Sequence, residues 1–263
     1  MMEVKNSPQG ILIYAAMAVY LGAFLITLLR ARKIGRTLYL LGFVIAAAAF
    51  GYRWYSVRHV PLQNLFEVFL CLGMIYPLTL FCRHFLRVGG ETADMLLGVI
   101  VLIPAGFFFS DQPHHLPPAL QSWLFAPHVA VYMIAYLLMA KAAFQALGEL
   151  YFKTGPSDTY LISYEQGAYR MVCFGFPLLT LGLILGSVWG KQAWGDYWNW
   201  DPKELCSLAS WMVFLGYFHF RNMYGKKHPH INSLWVLVGL LMIIITLLWV
   251  NLSRLFAGLH SYA

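Results

Sequence analysis

Charge is what this chain has least of. Of its 263 residues only 11% are Asp, Glu, Lys or Arg, while 60% are hydrophobic. A soluble domain carries about a quarter charged residues, so a soluble enzyme or binding module is excluded. Acidic residues are scarcer still, 11 against 18 basic, for a net charge of +7. Cysteine is sparse as well: Cys71, Cys82, Cys173 and Cys206. None forms a C-x-x-C or C-x-x-C-H motif. That excludes a dithiol oxidoreductase and a cytochrome with covalently attached haem. All four lie in or at the ends of apolar runs and read as small buried hydrophobes. Internal repeats, low-complexity segments and a soluble domain are missing too.

What the chain has is eight apolar runs, at about 11–29, 37–55, 64–82, 93–109, 127–152, 168–189, 205–221 and 231–251. Most reach the ~20 residues that cross a ~30 Å hydrocarbon core. The expected fold is all-α: a polytopic helical membrane protein of about eight transmembrane helices, one domain over residues 1–263. No small-residue cleavage site follows the first run, so it reads as a retained span. The polar segment Thr154–Glu165 is the one plausible breakpoint.

Basic residues set the expected orientation. Arg30, Arg32, Lys33, Arg36, Arg83, Arg87, Lys153, Arg170, Arg221, Lys226 and Lys227 fall on one side, eleven in all, against six on the other. The eleven-residue side is cytoplasmic, and both termini then face outward. The positive net charge reflects this bias. The basic loops are short and separate, without the interleaved aromatics of a strand-binding surface, so nucleic acid is not an expected partner.

This topology puts one unusual segment outside: Trp194-Gly-Asp-Tyr-Trp198-Asn-Trp200-Asp201-Pro-Lys-Glu204. Interfacial anchoring accounts for any single Trp. Three in one short loop offer more flat area than anchoring needs, and suit a flat, hydrophobic, partly charged ligand. Were the segment helical, Trp194, Tyr197, Trp198 and Asp201 would share a face. Asp201-Pro-Lys-Glu204 also reads as a helix start, with an N-cap, a Pro at N1 and a Glu at N3.

Depth sorts the nine histidines. His84, His228 and His230 lie in inner loops and His59, His114 and His115 in outer ones, where a solvated His is the plain reading. His128 opens the fifth run at its outer end, and His260 follows the eighth, also outside. Two neutral imidazoles on opposite faces of a macrocycle would hold haem iron. His219 lies fourteen residues beyond Leu205, about 21 Å inward at 1.5 Å per residue. An ionisable group at that depth is a functional candidate by default. Two readings stay open for it. It is a core histidine hydrogen-bonded between helices, or an iron ligand whose opposite ligand comes from another polypeptide, because no other His here shares its depth. For the same reason a dihaem cytochrome b, which needs facing pairs, is excluded.

These residues bring a family into view. Gly190–Glu204 resembles the tryptophan-rich WWD signature of haem-handling proteins. Pro61–Glu67, Phe218-His-Phe-Arg221 and Gly258-Leu-His-Ser-Tyr262 resemble further motifs of the CcsA/ResC component of the system II cytochrome c synthase. The resemblance implies a subunit of a haem lyase in a bacterial cytoplasmic or thylakoid membrane. It implies a CcsB/ResB-type membrane partner, haem b as the bound substrate, and apocytochrome c bearing C-x-x-C-H as the acceptor. It implies haem transfer from inside to outside and presentation for thioether attachment. On this resemblance His128 and His260 hold haem over Trp194, Trp198, Trp200 and Asp201. His219 holds it at an earlier site with a partner histidine. A CcmC-like haem exporter without ligase activity is the alternative. Arg53, Arg58 and Lys191 are candidates either to pair with haem propionates or to snorkel to the interface.

Overall fold

The structure, a computed structural model, describes residues 4–152, 162–249 and 252. Among these residues it contains helices and no β-strand. The helices are α1 (Pro8–Leu28), α2 (Arg32–Val57), α3 (Leu65–Leu72), α4 (Tyr76–His84), α5 (Glu91–Phe107), α6 (Phe125–Phe152), α7 (Tyr164–Trp194), α8 (Pro202–Tyr224) and α9 (Pro229–Ile244). A π-helical turn, Ile245–Trp249, continues α9. The protein is all-α and polytopic. Five helices, α1, α2, α6, α7 and α9, are long and apolar enough to cross a membrane, and α3 with α4 makes a sixth if the bent pair is one span. Among the described residues each predicted run falls mainly on helix. The remaining two, α5 with 17 residues and α8, do not meet that length and hydropathy standard.

Local chemistry sets the boundaries. Ser7 caps α1, its hydroxyl accepting from Gly10 N at 3.1 Å, with Pro8 behind it. Asn64 caps α3 through Glu67 N at 3.0 Å, and Glu67 Oε2 accepts from Gln63 N at 2.8 Å. Ser163 caps α7 through Gln166 N at 3.2 Å. Such side chains satisfy backbone donors that have no intrahelical partner.

The run 64–82 is not one straight helix. It breaks between α3 and α4 with a bend of 44°. Pro77 has no N–H to give to the carbonyl four residues back, which is Gly73 O. That oxygen accepts Tyr20 Oη at 2.9 Å instead.

The chain forms two compact units, residues 1–81 with 91–117, and residues 82–90 with 118–263. In the first, α1 packs on α2 and α5, and α3 on α5. Tyr20 is its fully buried centre. A Cβ at Gly42 or Gly98 would come within 2.5 or 2.9 Å of the Tyr20 ring, so glycine is what lets α2 and α5 approach it. Arg53, only 2% exposed, pairs with buried Glu67 at 2.9 Å and also donates to Asp111 O and Gln112 O. In the second unit α6 is the central helix, packed against α7 and α9, while α8 packs mainly on α9.

Candidate functional site

The Trp-rich segment leaves helix after its first residue and re-enters it only at Pro202. Helix α7 ends at Trp194, capped by Gly195 in the left-handed region (φ +93°). The Lys191 ammonium folds back onto Gly195 O and lies 5.5 Å from the Tyr197 ring centre. Residues 196–201 run as an irregular loop. The helical face that would join Trp194, Tyr197, Trp198 and Asp201 therefore does not exist. Gly195 needs no Cβ clearance to turn the chain, and the turn ends the register. Trp198 and Trp200 instead meet edge to face, 6.0 Å apart at 87°. Trp200 has φ +56°. For a bulky residue that backbone is strained, of order 1–3 kcal/mol, and the surroundings must hold it.

Glu204 does much of the holding. Its Oε2 accepts from Asn199 N at 2.8 Å and from Asp201 N at 3.1 Å. Asp201, 5% exposed, caps α8 in return, and the reciprocal capping box is complete. The expected helix start is thus present, and Asp201 closes the aromatic loop onto α8. Desolvation draws the Lys203 ammonium, which precedes the apolar run of α8, down to about 8, with the Asp201 carboxylate opposing the shift.

His128 stands in the first turn of α6. Its Nδ1 bonds Gly182 O of α7 at 2.9 Å. A carbonyl only accepts, so Nδ1 carries the proton and the lone pair lies on Nε2. The ring stacks on Trp189 at 5.7 Å and 26°, and meets Tyr132 edge-on at 5.1 Å. Trp189, 2% exposed, is fixed by its Nε1 donating to Ala119 O at 3.0 Å. It meets Trp194 at 4.8 Å and 64°. The structure therefore joins His128 to Trp194 through Trp189. An open cleft of about 450 Å³ adjoins this stack, lined by Pro118, Ala119, Gln121, Ser122, Trp123, Gln192 and Ala193. Ser122 Oγ donates to Gln192 Oε1 at 2.9 Å at its edge.

His219 is not a core histidine. It is exposed on α8, and its Nδ1 bonds Leu215 O one turn back at 2.9 Å. Again Nδ1 is the protonated nitrogen. His260 lies outside the described residues. Arg53 is committed to Glu67, and Arg58 lies over Tyr55, 4.5 Å from the ring centre. No group of three or more His, Cys, Asp or Glu fit to hold a metal ion occurs among the described residues. The four cysteines form no disulfide; Cys82 is buried and the others half-buried.

Two contributors were not singled out from sequence: Trp189, hidden inside an apolar run, and Glu204, noted only as a capping residue. Lys141, 2% exposed in mid-α6, is a further buried charge. A lysine within a long apolar run was its signal.

The class defined so far is an integral membrane protein with an aromatic, imidazole-bearing site where three helix ends of one unit converge. Residues 34–257 match the family described as cytochrome C assembly protein. The chain belongs to that family and is of its CcsA type. It is 34% identical over 224 residues to the cytochrome c biogenesis protein CcsA of Chlamydomonas reinhardtii, which covers 80% of this chain. The match spans 63% of that protein's length, less than two thirds of it. Proteins of the same name from Guillardia theta (32% identical, 81% of this chain and 79% of theirs) and Synechococcus elongatus (30%, 82% and 83%) are similar to it over a larger share of their length.

Proposed function

We propose that this chain binds haem and presents it at the outer face of a membrane for covalent attachment to apocytochrome c. In this role it is the haem-handling subunit of a cytochrome c synthase. Its involvement in cytochrome c assembly follows from its family. The finer assignment rests most on His128. Metal-bound histidines commonly donate their second ring N–H to a carbonyl, which sets tautomer and orientation. His128 does so to Gly182 O, while lying on Trp189 beside the Trp-rich loop.

Both units act as one haem-handling domain. In this reading the chain crosses eight times, with α3 and α4 together as the third and with α5 and α8 included, and the site and both termini lie outside. His128 and His260 supply the axial imidazoles, and Trp194, Trp198 and Trp200 plate the macrocycle. His219 serves an inner site, where the opposite ligand is a histidine of a CcsB/ResB-type partner. Its exposed position on α8 supports that, since a ligand shared with another chain must face outward.

The reaction asks little acid or base of the protein. Each thioether forms when a cysteine S–H adds across a vinyl C=C, sulfur bonding one carbon and hydrogen the other, with no net electron transfer. Rate then comes from holding vinyl and thiol together. Two imidazoles keep ferrous haem six-coordinate until the histidine of C-x-x-C-H displaces one.

The test is maturation of a C-x-x-C-H reporter in a host lacking its own system, with the chain and partner co-expressed. Covalent haem on the reporter, absent when either chain is omitted, is expected. Free haem outside without thioethers would favour a CcmC-like exporter instead.

A further inference from the structure

His219 and Arg221 are two residues apart on α8. An α-helix turns about 100° per residue, so their side chains leave the axis about 200° apart. Whatever holds one inward aims the other outward. The inward one is Arg221. Its Nε donates to Glu165 Oε1 at 2.6 Å and its Nη2 to Glu165 Oε2 at 3.2 Å. Nη2 also reaches Gln166 Oε1 at 3.4 Å, and the guanidinium lies 3.4 Å over the Tyr169 ring.

Glu165 is itself fixed. It is 5% exposed in the first turn of α7. Its Oε1 accepts from Asn232 Nδ2 of α9 at 3.0 Å, and its backbone N–H donates to Glu149 Oε2 of α6 at 3.3 Å. Residues of α7 thus grip the guanidinium of α8, and α6 and α9 in turn hold Glu165. His219, on the other side of α8, bonds Leu215 O of its own helix.

We propose that the Arg221–Glu165 pair is a rotational lock on the last turns of α8, which sets the direction in which His219 presents Nε2 to a ligand outside this chain. The proposal rests on the assignment of His219 as an iron ligand. Arg221, Glu165 and Asn232 are positioning residues; none of them touches the ligand. Magnitudes favour such a device. Rotating α8 by about 20° moves an atom at its surface, about 5–6 Å from the axis, by about 2 Å. Metal–ligand distances tolerate about 0.2 Å. Apolar packing alone leaves helix rotation soft on that scale. A fork-to-fork pair between guanidinium and carboxylate is directional, and lysine does not reproduce it.

The test uses this chain co-purified with its partner and loaded with haem, in five forms: wild type, His219→Ala, Arg221→Lys, Glu165→Gln, and the exchange of Glu165→Arg with Arg221→Glu. Optical and low-spin EPR spectra are recorded, together with haem retention. Arg221→Lys and Glu165→Gln should lower retention at the inner site about tenfold, the scale seen when an outer-shell partner of a metal-bound histidine is removed. Added imidazole should restore the six-coordinate spectrum, because the iron position is vacated rather than destroyed. The exchanged pair should recover it without imidazole, as Asn232 Oδ1, which has no hydrogen-bond partner among the described residues, can accept from the new arginine. Wild-type spectra and retention in both single variants, with loss in His219→Ala, would overturn the lock and leave the ligand assignment standing. A wild-type spectrum in His219→Ala would overturn both. Loss in the single variants that imidazole cannot restore would mean general packing, and would also overturn the lock. If neither single variant folds, the exchanged pair decides: an inner-site spectrum without added imidazole supports the lock, and its absence in a folded protein overturns it.

Discussion

The imidazole of His128 lies so close to Gly186 that a Cβ there would come within 2.6 Å of His128 Cε1. The bond from Nδ1 to Gly182 O and the clearance at Gly186 are one turn apart on α7. Together they seat the ring flat against Trp189.

Gly186→Ala is therefore expected to displace His128. Overpacking of this kind costs about 1–3 kcal/mol, so the chain should still insert. Haem content at the outer site should fall nearly as far as in His128→Ala. Gly22→Ala, where no atom lies within 4 Å of the new methyl, is the control and should be silent. Unchanged haem in Gly186→Ala would show that the seat tolerates movement.

Capping and ligand roles for Asp201 separate cleanly. Serine also caps a helix, whereas loss of the cap costs about 1 kcal/mol. Asp201→Ala is expected to lower the melting temperature and haem binding together. Asp201→Ser should keep both near wild type if the capping box is what matters. Haem loss in Asp201→Ser at normal stability would place the carboxylate against the ligand.

Lys203 gives a pH signature. Its ammonium is drawn down to about 8 in the fold, against about 10.4 unfolded. Between these values the unfolded chain binds the extra proton, so stability rises with pH across that window. Below pH 8 both states are protonated and the contribution is flat. Lys203→Met should abolish the rise, as read from melting temperatures of the two proteins between pH 7.5 and 10, a range set by those same two values. Parallel curves would mean that Lys203 is solvated.

Much of this was legible from sequence. Among the described residues the apolar runs fall mainly on helices, and Asp201-Pro-Lys-Glu204 starts α8 because capping chemistry is local. What was not legible depends on distant partners. The break at Gly73 needs Tyr20 to take the freed carbonyl, though Pro77 was visible within the run. Trp189 looked like any core aromatic until Ala119 O and His128 were brought beside it. The spacing in the aromatic loop fits a helical face, but a left-handed Gly195 and the positive φ of Trp200 prevent a helix there. His219 could have faced inward; its exposure on α8, opposite the Arg221–Glu165 pair, appears only in the fold.

A test of the aromatic plate follows from Trp198. Phenylalanine keeps an interfacial ring but reduces the stacking area. If Trp198 supports the macrocycle, Trp198→Phe should lower haem content and maturation while insertion persists. Normal haem yield in Trp198→Ala would end that role.

The central claim is that His128 is an axial ligand paired with His260 at the outer face. The most direct measurement is the visible spectrum of the haem-bound protein in wild type, His128→Ala and His260→Ala, with reporter maturation measured alongside. The expected result is a six-coordinate low-spin spectrum in wild type, lost in either variant and restored by added imidazole, with maturation abolished. Wild-type spectra and full maturation in both variants would contradict it.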